Sequence, residues 1–142
     1  MGATPIPLED GYTAELDTVD KHEWHQIFNQ FSDANIYQTW DYDAIRCGEE
    51  SISHLVILSA DKIIAAAQAR IARIPILGLG AAYVRWGPCW QLRNQTVDPT
   101  AFRLALRALR NEYVVSFRQA CVAGERLLES MQGANNCSIS WL

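Results

Sequence analysis

HLVILSADKIIAAAQARIARI, residues 54–74, is the stretch on which the fold turns. His54 to Leu58 is a short apolar run, Ala60-Asp61-Lys62 a tight turn, and Ile63 to Ile74 a longer strand returning against the first. Side chains alternate along a strand, so Gln68 and Arg70 share one face while Ala65, Ala67 and Ala69 share the other. Pro75 to Gly80 then reads as a glycine-containing connection and Ala81 to Trp86 as a third strand. In regular alternation Tyr83 and Arg85 face one way, with Val84 and Trp86 opposite. The centre of the chain is thus a three-stranded meander.

Working outward, residues 1–11 read as a loose lead-in and Tyr12 to Leu16 as a first strand. Asp20 followed by Glu23 is a capping box, and Val19 can pack on Trp24 as a hydrophobic staple. Trp24, Ile27, Phe28 and Phe31 then fall at the i, i+3, i+4, i+7 positions of one buried helix face. A second short helix is expected from Trp40 to Cys47, capped by Thr39, with Asp41 and Asp43 near its positive end and Gly48 as terminator. After the meander, Asp98 caps a helix whose first position is Pro99, where the missing N–H costs nothing. Phe102, Ala105, Leu106, Leu109 and Tyr113 form its expected buried stripe, with Arg103, Arg107 and Arg110 outside. Strand, helix, helix, meander, helix is an α/β (α+β) arrangement: helices flanking a mostly antiparallel sheet.

The 142 residues are 49% hydrophobic and 20% charged, which suits one globular domain with a core of its own. With 12 basic against 16 acidic residues, the net charge of -4 argues against a nucleic-acid backbone as main partner. Cys47, Cys89, Cys121 and Cys137 form no C-x-x-C pair, so no metal site is expected. The N-terminus lacks a signal-peptide pattern, and no run approaches the roughly 20 apolar residues of a membrane span. A cytoplasmic location is the expectation.

The polar residues of the meander are the best site candidates. If their faces align, Gln68, Arg70, Tyr83 and Arg85 make one cluster, and guanidinium groups there match a carboxylate or phosphate. The ordinary alternative is that the arginines pair with Asp or Glu or point to solvent. Among Trp40, Trp86 and Trp90, Trp90 lies in a loop and is the strongest candidate for stacking on a sugar or nucleotide. His22 and His25 are three apart, which misses the spacing of a zinc-binding H-E-x-x-H helix. Cys89 has no His or acid placed beside it by sequence and reads as a small apolar filler. No catalytic residue is assigned.

Three segments carry a family resemblance: Ile36-Tyr37-Gln38-Thr39-Trp40, Ala67-Gln68-Ala69-Arg70, and Ala82-Tyr83-Val84-Arg85-Trp86-Gly87-Pro88. Over roughly residues 13–114 the chain resembles the N-terminal domain of FemAB-like proteins, two-domain N-acyltransferases of the GNAT superfamily. The resemblance implies a GNAT-like sheet, incomplete at the C-terminus. It also implies transfer of an acyl or aminoacyl group to an amine of a small-molecule or lipid-linked cell-wall or exopolysaccharide precursor. Acyl-CoA or aminoacyl-tRNA would be the co-substrate of the complete protein; aminoacyl-tRNA is the one nucleic-acid partner it implies.

Two departures qualify that expectation. GNAT enzymes hold the CoA pyrophosphate on a glycine-containing loop at a helix N-terminus, where backbone N–H groups point at the phosphates. The junction from Gly87 to Pro99 lacks those glycines, and Asp98 brings negative charge, so no cofactor is expected to bind this chain in that way. The resemblance also stops near Val115. Residues 115–142 are expected to be a tail, with a helix from Val114 to Glu129, in a truncated or frame-shifted member lacking its second GNAT domain. Self-association through the uncovered surface, or a purely acceptor-binding or dimerising role, is then the alternative to catalysis.

Overall fold

A computed structural model describes residues 6–9, 11–74 and 79–116. Five strands run in sequence order across one antiparallel sheet: β1 (Ile6–Glu9), β2 (Tyr12–Leu16), β3 (Ile52–Ser59), β4 (Lys62–Ile74) and β5 (Leu79–Val84). Between β2 and β3 come α1 (Lys21–Phe28) and α2 (Trp40–Cys47), and after β5 comes α3 (Pro99–Arg110). The expected α+β class and the central meander are therefore present. One strand is additional. Ile6–Glu9, expected to be loose, pairs with β2, with Ile6 opposite Ala14.

The β3–β4 hairpin closes on Ala60 and Asp61 with φ of 46° and 64°. Two successive positive φ values belong to the type I′ turn, whose twist matches that of the flanking strands. β3 and β4 then pair along their length, with His54 opposite Gln68 and Val56 opposite Ala66.

The two sheet faces hold two cores. On one, Ala14, Leu55, Ile57 and Ala65 pack with Leu104, Ala105 and Ala108 of α3. On the other, Val56 and Ala66 pack with Trp24 and Ile27 of α1, Phe31 and Cys89. Alternation along β4 assigns Ala65 and Ala66 to opposite layers, and a register shift opposite Ile57 and Leu58 leaves Ile64 on the same side as Ala65.

The helices start where the caps place them. Asp20 accepts from the Glu23 N–H and Glu23 in turn accepts from the Asp20 N–H, the reciprocal bonds of a capping box. Asp98 accepts from the Thr100 N–H at the head of α3. Gly48 ends α2 at φ 84°, where an added Cβ would strike the Glu50 carboxylate. Thr39 occupies the cap position of α2, but its hydroxyl donates to Ile36 O at 2.6 Å and caps nothing.

The buried stripe of α3 is rotated from the expected one. Ala101, Leu104, Ala105 and Ala108 are buried, whereas Phe102 and Leu106 are 37% and 47% exposed. Alanine on both surfaces lets α3 approach the alanine-lined face of β4, which larger side chains would hold off. Residues 75–78 and 117–142, and with them the expected tail beyond Ser116, lie outside the described residues.

Candidate functional site

β5 stops pairing with β4 at Val84, opposite Ala69, and the chain rejoins β4 at Cys89, bonded both ways to Ala66 at 2.9 and 2.8 Å. Two residues of β4 thus face four residues of the departing strand, Arg85 to Pro88. Trp86 and Gly87 turn the corner at φ 62° and 76°. A bulged strand leaves backbone groups of its neighbour without ladder partners, and buried orphans are costly.

The Gln38 amide occupies that gap. Its Oε1 accepts from the Gln68 N–H at 2.8 Å, and its Nε2 donates to Gln68 O at 3.3 Å and Arg85 O at 2.8 Å. One side chain reproduces the donor and acceptor pair that a strand would have presented. Gln38 is fully buried, and its own carbonyl accepts from Trp24 Nε1 at 3.0 Å.

The Gln68 side chain lies directly beneath, 1% exposed. Its Nε2 donates to Thr39 O and to Asp43 Oδ2, both at 3.0 Å, which makes its Oε1 the acceptor for His54 Nε2–H at 3.0 Å. His54 is held between rings: Trp40 stacks on it at 4.2 Å and Trp24 leans on it at 4.4 Å. Burial drives its pKa down to about 4, so the ring is neutral at pH 7. The expectation that Gln68 contacts a ligand is corrected here: every polar atom of its amide is bonded inside the core.

Above the bulge the surface is open. Tyr37, Tyr83, Arg85 and Trp86 line a groove of about 600 Å³. The Arg85 guanidinium lies 5.5, 5.4 and 5.6 Å from the ring centres of Tyr37, Tyr42 and Tyr83, and its Nη1 donates to Tyr42 Oη at 3.0 Å. Arg46 reaches the Tyr42 ring from the next turn of α2. Among the described residues no carboxylate pairs with Arg85 or Arg70. Arg70 stands opposite Tyr83 in register, and Arg85, past the end of the ladder, lies 5.6 Å from the Tyr83 ring on the same side.

Two aromatic expectations are corrected. Trp86, expected on the opposite face to Arg85, instead stacks on Tyr37 at 6.1 Å, 77% exposed. Regular alternation ends at Val84, and the positive φ at Trp86 re-aims the side chain. Trp90, the expected ligand residue, packs against Phe102 at 5.4 Å and on the α3-side core, away from the groove. Tyr37 and Tyr42 had no assigned role. The 3.6-residue period that sets Tyr42 beside Arg46 on one helix face was the available signal.

Left-handed backbone is an outlier for a bulky residue and costs about 1 kcal/mol or more. Trp86→Gly is therefore expected to leave stability unchanged or raise it by up to about 1 kcal/mol in urea unfolding. A loss beyond 1 kcal/mol would mean that the indole is a packing residue.

Elsewhere the chemistry is closed. Cys89 is buried and its thiol is pushed up to about 12, chiefly by burial, which removes it as a nucleophile at neutral pH. No group of three or more His, Cys, Asp or Glu able to hold a metal occurs among the described residues. Among the same residues, no helix is long and apolar enough to cross a membrane. No family model, no curated protein and no solved structure matches the chain.

Proposed function

We propose that this chain is the acceptor-recognising module of a FemAB-like, GNAT-type N-acyltransferase. The acyl or aminoacyl donor would be bound outside it. The observation that carries the reading is the groove itself: its wall is the Tyr83-to-Trp86 segment on which the resemblance centres. Tyr37 of another resembling segment completes the lining, and Gln38 and Gln68 from the same two further segments are buried in the core, where they hold the bulge. A sheet with two helices before the meander and one after it is consistent with a GNAT-like layout.

The division of labour rests on how the segment after β5 uses its amides. The Asp33 carboxylate accepts from the Trp90 and Gln91 N–H groups at 3.0 and 3.2 Å, and Asp98 accepts from Thr100 at the start of α3. A pyrophosphate needs such N–H groups free and positive surroundings. Here they face carboxylates. In the complete reaction an acceptor amine attacks the donor carbonyl, and this module contributes by positioning that amine.

Thermal shift separates donor from acceptor binding, because a ligand at ten times its Kd stabilises the folded state by about 1.4 kcal/mol. For a domain of this size that is a rise of several degrees in Tm. UDP-N-acetylmuramoyl-pentapeptide with a free lysine amine, a glycan-precursor nucleotide, is expected to raise Tm, and acetyl-CoA at 1 mM is not. A shift with acetyl-CoA alone would reverse the assignment, and no shift with either sinks it.

One observation favours a dimerising role as a second reading. β5 is one of the two sheet edges among the described residues, and Gly80, Ala81 and Ala82 are exposed along it without a charged residue between them. Such an edge is a template for another strand. Light scattering reporting a monomer at 100 µM would remove that reading.

A further inference from the structure

We infer that the groove beside the bulge binds a carboxylated pyranose, a hexuronate-type sugar, with the ring on Trp86 and the carboxylate on Arg85. The inference deepens the acceptor-module reading by naming the sugar chemistry of the same groove. It begins with the exposed indole. Trp86 is held at φ 62° with 77% of its surface open, so the chain keeps a large apolar ring in solvent on strained backbone. A ring spent in this way offers one π face to Tyr37 and leaves the other free. The negative face of an aromatic ring attracts the weakly positive axial C–H groups of a pyranose, and the two rings match in size.

The charge adjacent to that platform selects the substituent. Among the described residues one of the five N–H donors of Arg85 is bonded, to Tyr42 Oη, and no carboxylate neutralises it. Its guanidinium lies among the Tyr37, Tyr42 and Tyr83 rings, which hold it in place. A planar fork fixed in this way matches a planar carboxylate. A terminal phosphate, carrying close to two charges, asks for a cradle of several cations or backbone N–H groups. Among the residues lining the groove Arg85 is the one cation, and the Gln68 N–H at the bulge is already bonded to Gln38. Tyr37 and Tyr83 line the groove, and their hydroxyls belong to the class of donor that reads sugar hydroxyls.

The test uses titration calorimetry of the intact chain with methyl β-D-glucuronide, methyl β-D-glucoside and α-D-glucose 1-phosphate, at low salt and pH 7. Saturation-transfer NMR follows the ring protons. The glucuronide is expected to bind at least tenfold more tightly than the glucoside, the usual margin for a charge-assisted bond. It is also expected to exceed the 1-phosphate, with saturation strongest on the axial ring protons.

Trp86→Ala alters an exposed side chain and is expected to abolish binding of every sugar while the circular dichroism spectrum is unchanged. Arg85→Gln is expected to remove the preference for the glucuronide. Arg85→Lys, which keeps the charge and the aliphatic stem, serves if the glutamine variant misfolds; it should retain part of that preference. Equal binding of glucuronide and glucoside, tighter binding of the 1-phosphate, or full binding by Trp86→Ala would each overturn the assignment. No acyl donor is present, so a failure of the acyltransferase reading leaves this result standing. Nucleotide-sugar binding that survives Trp86→Ala would do the reverse.

Discussion

Gln38→Leu is expected to lower the free energy of unfolding by about 3–5 kcal/mol. Leucine fills similar volume, so the loss isolates the amide. It removes three hydrogen bonds and leaves the Gln68 N–H, the Gln68 carbonyl and the Arg85 carbonyl without their shared partner. Each buried backbone group left unsatisfied costs about 1–3 kcal/mol, and partial hydration of the bulge keeps the sum below the additive limit. Urea unfolding monitored by tryptophan fluorescence measures it. The same variant should bind the glucuronide more weakly under conditions where it is still folded, because Arg85 O is no longer tethered. Destabilisation below 1 kcal/mol would show that water can replace the glutamine and that the bulge needs no plug.

Acid is expected to remove about 3 kcal/mol of stability through His54 alone. Its pKa falls from 6.5 to about 4 on folding, chiefly through burial between the two indoles. The unfolded chain therefore binds the proton more tightly than the folded one. The contribution of the neutral ring is complete above pH 6.5 and is lost as the pH falls through about 4. Each unit of difference is worth about 1.4 kcal/mol, which gives the figure of about 3. Unfolding midpoints between pH 7 and pH 4 should drop steeply in the native chain. In His54→Gln the slope over that range should be shallower by the same amount, although the variant starts less stable at pH 7. Parallel slopes would mean that carboxylates elsewhere account for the acid sensitivity.

Much of the architecture was legible because it rests on local rules. The capping box at Asp20 and Glu23, the glycine stop at Gly48 and the Asp98-Pro99 start each obey backbone chemistry that neighbouring residues complete among themselves. The β3–β4 turn and the alternation along β4 follow for the same reason. What failed did so where local patterns compete. α3 offers two apolar stripes, and the alanine-rich one won because β4 presents alanine to it. Ile6–Glu9 has too little pattern to declare itself and becomes a strand through pairing with β2.

The site divides along the same line. The sequence by itself placed Arg70 and Tyr83 on one face of a meander, since alternation in regular strands needs no knowledge of anything else, whereas Arg85 reaches that side from beyond the ladder. It could not show that β5 leaves the ladder after Val84, because a bulge is a balance between strand pairing and a side chain brought from elsewhere. Gln38 lies 30 residues from Gln68 and 47 from Arg85 in the chain. Only the packed tertiary structure brings that amide into the gap, and from that follow the buried role of Gln68, the outward turn of Trp86 and the groove that Trp86 forms with Tyr37, Tyr83 and Arg85.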